Sequence, residues 1–107
     1  MSFFTWLKGR FSHRAKIIAR YRSGMAKAKQ GDFAGAVIDY TAALDAPGIP
    51  DDVRGMALYN RALAYSSLRE VDKAAEDLSK VLNLPGLPES IRTAAGQRRE
   101  RLRRREL

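Results

Sequence analysis

The sequence predicts an all-α protein built from two successive helical hairpins and one closing helix. Three observations carry that prediction: an internal repeat, apolar residues at helical spacing, and proline–glycine punctuation at a fixed interval. Pro47-Gly48-Ile49-Pro50-Asp51 recurs as Pro85-Gly86-Leu87-Pro88-Glu89, an offset of 38 residues. The same offset pairs Ala36 with Ala74, Asp39 with Asp77, Leu44 with Leu82, Arg54 with Arg92, Ala57 with Ala95 and Arg61 with Arg99. A period of this size marks one supersecondary unit stacked on its copy, because a single unit cannot bury its own apolar face.

The elements follow in order. A short helix is expected at 2–9, then helices at about 12–30, 33–46, 50–68, 71–84 and 88–105. In the second unit Leu58, Ala62, Tyr65 and Leu68 recur at three- and four-residue steps, and Val71, Ala74, Ala75, Leu78, Val81 and Leu82 do the same. The links Gln30-Gly31-Asp32 and Arg69-Glu70 are too short for anything but antiparallel neighbours. In the Pro-Gly-x-Pro links the glycine ends one helix, and Pro50 or Pro88 suits the first turn of the next. Small residues stand where helices must cross closely: Gly24 and Ala62 on the first helices, Ala36 and Ala74 on the second.

The next residue in the Gly24/Ala62 series is Glu100, which fits only a helix with no hairpin partner. Residues 88–105 therefore read as a polar cap on the open end, which helical arrays need. Its apolar stripe (Ile91, Ala95, Leu102) is thin, and fraying is expected after Arg99. The resulting division is an apolar and basic N-terminal segment at 1–16, two hairpin repeats at 17–86, and a basic capping helix at 87–107.

Tyr59-Asn60-Arg61-Ala62-Leu63-Ala64-Tyr65, followed by Ala74, Asp77, Leu78, Leu82 and Pro85, resembles the tetratricopeptide repeat. The earlier unit resembles it through Gly24, Gly31-Asp32-Phe33, Ala36, Tyr40, Ala43-Leu44 and Pro47. The resemblance spans about 17–86. It departs from the pattern in two ways. The usual period is about 34, so the loop between hairpins is longer here, and Arg20 and Leu58 stand where the family places an aromatic. The resemblance implies a short right-handed solenoid whose first helices line a concave groove that receives a peptide or helix.

Composition narrows the function. The chain has 107 residues, 45% hydrophobic and 30% charged, which is the balance of a soluble globular domain. It has no cysteine, which removes thiolate chemistry and thiolate-bound zinc. The single histidine, His13, cannot build an imidazole metal site and reads as a solvated residue at a helix start. No phosphate-binding glycine loop or zinc-protease motif is present. Asp39 and Asp77 match each other as a repeat pair, and Asp77 with Arg61 is expected to be a structural ion pair. No enzyme activity, cofactor or metal is expected. The expected role is a protein-interaction module or adaptor in the cytoplasm.

Taking the offset literally gives a shared face on the first helices. Ile18, Met56 and Ala94 form one column, and Tyr21, Tyr59 and Gln97 the next. Arg22, Asn60 and Arg98 follow, then Met25, Leu63 and Arg101, then Lys29, Ser67 and Arg105. The candidate partner-binding residues on that face are Tyr21, Arg22, Met25, Lys29, Tyr59, Asn60, Leu63, Arg98 and Arg101. Tyrosine and arginine are frequent hot-spot residues, and arginine pairs bidentately with carboxylates. An acidic or carboxylate-bearing peptide is therefore the expected partner. The bland alternative is that Tyr21, Met25, Tyr59 and Leu63 pack within or between the repeats. Within the resemblance, Asn60 and Lys29 match part of the family's carboxylate clamp, and the full basic set is absent.

Charge is uneven. Residues 1–30 carry eight Lys/Arg and no acid, residues 31–87 a net of −4, and residues 88–107 a net of +4. Phe3, Phe4, Leu7 and Phe11 share one helical stripe, with Trp6 at its edge. Three fates compete for this stripe: packing on the first hairpin or its groove, contact with a partner or another copy, or attachment to the inner face of an anionic membrane. The run from Arg98 to Arg105 can meet nucleic-acid phosphates, but it lacks the aromatics that stack on single strands, and a charged cap explains it. Basic ends and an acidic middle also permit head-to-tail self-association.

Overall fold

The computed structural model describes residues 2–104, with side chains described for 2–6 and 13–104. Five helices run in order: α1 (Phe3–Lys29), α2 (Phe33–Asp45), α3 (Asp51–Ser67), α4 (Val71–Asn83) and α5 (Glu89–Arg103). The described residues contain no strand. Each helix packs on the next, and α1 also touches α3. The fold is thus two helical hairpins, α1–α2 and α3–α4, closed by α5.

The expected break between a short helix at 2–9 and a helix at 12–30 is absent. Phe3 to Lys29 is one helix of 27 residues. Gly9 and Ser12 weaken helix by at most about 1 kcal/mol each, and no proline interrupts the hydrogen-bond ladder. The start is fixed by Ser2, whose hydroxyl accepts the Thr5 N–H at 3.3 Å. The N-terminal segment and the first hairpin helix are therefore one element, not two.

The hairpin crossing is built from a small residue facing a large one. A Cβ placed on Gly24 would lie 2.6 Å from Cε1 of Tyr40. Tyr40 is buried, at 1% exposure, so its ring cannot swing away. One offset later the equivalent positions are Ala62 and Leu78, both buried in the second hairpin's core. The first helix gains a methyl group and the second loses a ring, so the contact keeps about the same volume. Ala36 and Ala74 are fully buried, as expected for close crossings.

Two further devices join the units. Arg61 donates from Nε and Nη2 to the two carboxylate oxygens of Asp77, at 2.7 and 2.8 Å. Its Nη1 donates to Thr41 Oγ1 on α2 at 3.1 Å, so one guanidinium ties α3 to both second helices. The long inter-hairpin loops are anchored by their apolar third residue: Ile49 is buried with Ile17, and Leu87 closes over Gly55. The extra loop length relative to a shorter repeat lets that side chain fold back onto the preceding first helix.

The closing helix holds longer than the thin stripe suggested. It continues to Arg103 rather than fraying after Arg99. Leu102 is only 6% exposed and joins the core cluster of Leu58, Ala62, Leu78 and Ala95, which pins the last turn. Arg92 donates to the carbonyls of Leu82 and Leu84, capping the end of α4 and fixing where α5 departs. Glu100 carries no burden of close packing and pairs with Arg103 at 3.4 Å.

The crossing generates a stability prediction. Gly24→Ala should cost about 1–3 kcal/mol by forcing the Tyr40 ring. Gly24→Ala with Tyr40→Leu reproduces the Ala62/Leu78 pairing and should recover part of the combined losses. Gly96→Ala, where a Cβ meets nothing within 4 Å, should gain about 0.5–1 kcal/mol. Urea unfolding of the parent protein, these three variants and Tyr40→Leu alone reads all three signs.

Candidate partner-binding face

The buried carboxylates come first, because among the described residues they are the buried charged groups. Asp39 and Asp77 are each 2% exposed. Each stands beside the large residue of its crossing, and the equivalent partner positions on the first helices are Ser23 and Arg61. In the second hairpin Arg61 meets Asp77 directly. In the first, Ser23 donates its hydroxyl to Asp39 Oδ2 at 2.5 Å. Charge arrives from Lys27 Nζ at 3.0 Å and, more distantly, from Arg20 at 3.8 Å. The Asp39 carboxyl is held below its ordinary range, first by the Ser23 hydrogen bond, against opposition from burial, and then by Lys27 and Arg20. On Arg61 the hydrogen bonds to Asp77 raise the guanidinium's already high value. Asp39 is thereby kept ionised, and Asp77 has both carboxylate oxygens engaged by Arg61; each suits a structural part and not proton transfer.

The face across the first helices is organised by one bond. Asn60 Nδ2 on α3 donates to the Tyr21 hydroxyl on α1 at 2.7 Å. The Tyr21 ring lies 5.9 Å from that of Tyr40, so the bond is rooted in the hairpin crossing. Burial raises the Tyr21 hydroxyl, with Asn60 pulling the other way. Burial, helped by Tyr21 and Asp39, pushes Tyr40 up to about 12. Both phenols therefore stay neutral and act as packing and hydrogen-bonding groups.

The other candidates divide by exposure. Arg22, Met25 and Lys29 are exposed on α1, Met25 at 38%. Tyr59, Asn60 and Leu63 are half-buried on α3, and Tyr59 packs against the second core cluster. Arg98 and Arg101 are exposed on α5, whose principal neighbour is α4. Tyr21 and Asn60 are thus brought together, while the two arginines stand on a helix further along. One N–H of the Asn60 amide is already used by Tyr21, so less of it is left for a peptide backbone.

At the N-terminus Phe3, Phe4 and Trp6 are 65%, 78% and 51% exposed. Their rings lean on one another, Phe3 to Phe4 at 5.9 Å and Phe3 to Trp6 at 6.0 Å. Packing on the first hairpin is therefore not what covers these three. The side chains of Leu7 and Phe11, the other two anchor candidates, lie outside the described residues, as does Arg105. His13 sits inside α1 rather than at a helix start, and its Nε2 donates to the Pro47 carbonyl at 2.7 Å, tying α1 to the first inter-hairpin loop. No described helix is long and apolar enough to cross a membrane.

Residues 57–85 match the family model of the tetratricopeptide repeat. That segment is one tetratricopeptide repeat, about a quarter of the chain. Comparison with curated proteins and with solved structures gave no match. The matched segment runs from the middle of α3 through α4, and the α1–α2 hairpin repeats its crossing and its buried aspartate at the 38-residue offset. A tetratricopeptide repeat is a protein-interaction scaffold, so the partner class is protein. Two clefts escaped the reading of the sequence. One, of about 450 Å³, lies among Leu44, Arg54, Leu58, Arg61 and Lys80. The other, of about 540 Å³, lies between α4 and α5 beside Val71, Ala75, Arg99 and Leu102. Both depend on helix-to-helix gaps that residue spacing does not encode.

The Asp39 network generates a pH prediction. A depressed folded-state value contributes stability that is present above the unfolded value of about 3.9 and lost as pH falls through the folded one. Asp39→Asn should cost about 1–3 kcal/mol at pH 7. Its deficit relative to the parent protein should shrink as pH is lowered from about 5 towards 3. Urea midpoints of the two proteins across that range check it; a constant deficit would contradict the assignment.

Proposed function

We propose that this protein is a non-catalytic adaptor that takes an acidic or carboxylate-bearing peptide across the face shared by α1 and α3. The observation that carries the reading is the Tyr21–Asn60 bond, which fixes the two first helices side by side. On that face Met25 and the half-buried Leu63 and Tyr59 offer apolar contact. Arg22 and Lys29 offer charge on a helix that contains no acidic residue. Arg98 and Arg101 on α5 extend the positive field in the direction of the chain. Electrostatic complementarity of this kind selects sign and speeds encounter more than it adds affinity. A peptide of micromolar strength is therefore the natural partner. The same charge layout disfavours a basic partner. It also allows the acidic middle of a second copy to compete weakly for the basic helices.

The test is titration with an acidic peptide bearing a free terminal carboxylate, followed by amide shifts along the chain. Shifts should fall on α1 and α3, with Lys29→Glu weakening binding by about fivefold or more. Charge reversal at Arg98 and Arg101 should weaken it further if the peptide runs towards α5. Shifts confined to α2 and α4 would place the partner on the opposite surface.

A further inference from the structure

We propose that the first turns of α1 insert, tip first, into the interface of an anionic lipid bilayer. The offset aligns the start of α3, Asp51, with His13, so residues 3–12 of α1 have no counterpart in the second hairpin. At 1.5 Å per residue this extension carries the tip about 15 Å beyond the hairpin. Residues 2–6 and 13–16, those ahead of Ile17 whose side chains are described, are all exposed. The tip can therefore reach a flat surface without the repeats colliding with it.

Its chemistry is sorted along the axis. Phe3, Phe4 and Trp6 occupy the first turn, and Lys8, Arg10, Arg14 and Lys16 begin about 5 Å further along. Aromatic rings at the headgroup boundary with cations one step behind, at the phosphates, is the arrangement an anionic bilayer rewards. Trp6, at the edge of the stripe shared by Phe3, Phe4, Leu7 and Phe11, widens the apolar end of the helix to about 160° at 100° per residue. Charge supports the same occupant: the first thirty residues contain eight cations and no acid. The other basic element, α5, mixes its arginines with Glu89 and Glu100 and contains no aromatic residue. Attachment is therefore assigned to α1 and not to α5. The occupant is independent of the peptide face, so either can fail without the other.

Trp6 is the only tryptophan in the chain, so the proposed tip reports on itself. The full chain is mixed with phosphatidylcholine vesicles, with or without about one-third phosphatidylserine, and followed by Trp6 emission and co-sedimentation. The expected result is a blue shift and co-sedimentation with the anionic vesicles only, reversed by high salt. Phe3→Ser with Phe4→Ser should weaken binding by about tenfold or more, and Lys8→Gln with Arg10→Gln by a similar factor. Unchanged far-ultraviolet circular dichroism without lipid would show that both variants still fold. Three results would overturn the proposal. The first is no shift with anionic vesicles. The second is a blue shift without lipid that grows with protein concentration, which assigns the tip to self-association. The third is undiminished vesicle binding by the Phe3→Ser/Phe4→Ser variant, which moves attachment to α5.

Discussion

The two helices of the first hairpin approach so closely that one methyl group at Gly24 would overlap the Tyr40 ring. The rest of the structure is arranged around that contact. Tyr40 occupies the space the glycine leaves, and Tyr21 stacks beside it and reaches Asn60 on the next first helix. Asp39, one residue from Tyr40, is drawn under cover and must be satisfied there by Ser23 and Lys27. The second hairpin repeats the scheme with Ala62 against Leu78 and Arg61 against Asp77. A crossing with a buried carboxylate beside it is thus the repeating unit, and the proposed partner face is built outward from it.

The same unit shows why some features were legible in the sequence and others were not. Gly24/Ala62 and Ala36/Ala74 stood out because a close crossing restricts residue size at both copies. Asp77 with Arg61 was legible because opposite charges at a helical crossing have few other uses. The partners of Asp39 were not, because the first hairpin replaces Arg61 by Ser23 and brings in charge from Lys27, one turn away. Residue columns drawn at the 38-residue offset pair Tyr21 with Tyr59. The structure pairs it with Asn60, because packed helices turn relative to one another and an offset alone does not encode that rotation. The long reach of α1 was hidden by Gly9 and Ser12, which look like breaks, yet a ladder without proline runs through both. The firm end of α5 depended on Leu102 finding the second core cluster.

Continuity of α1 has a functional consequence. One helix carries the exposed aromatics at its start and Arg22, Met25 and Lys29 at its end. A stiff rod of 27 residues sets the distance and direction between the two regions in a way that a flexible linker would not. His13 braces the rod against the Pro47 carbonyl near the point where it leaves the folded body. A surface held at the tip and a peptide held on the repeats would therefore keep a defined separation. That is a useful property in a scaffold whose value lies in placing one thing relative to another.

The glycine-on-ring crossing has a direct spectroscopic signature in the chemical shift of the Gly24 α-protons. Protons this close to an aromatic ring are displaced from their ordinary shifts by the ring current. Gly24 should show such a displacement, with nuclear Overhauser contacts to the Tyr40 ring protons and loss of the displacement in Tyr40→Leu. A Gly24 α-proton shift at its ordinary helical value, with no contact to Tyr40, would contradict the crossing and the hairpin geometry built on it.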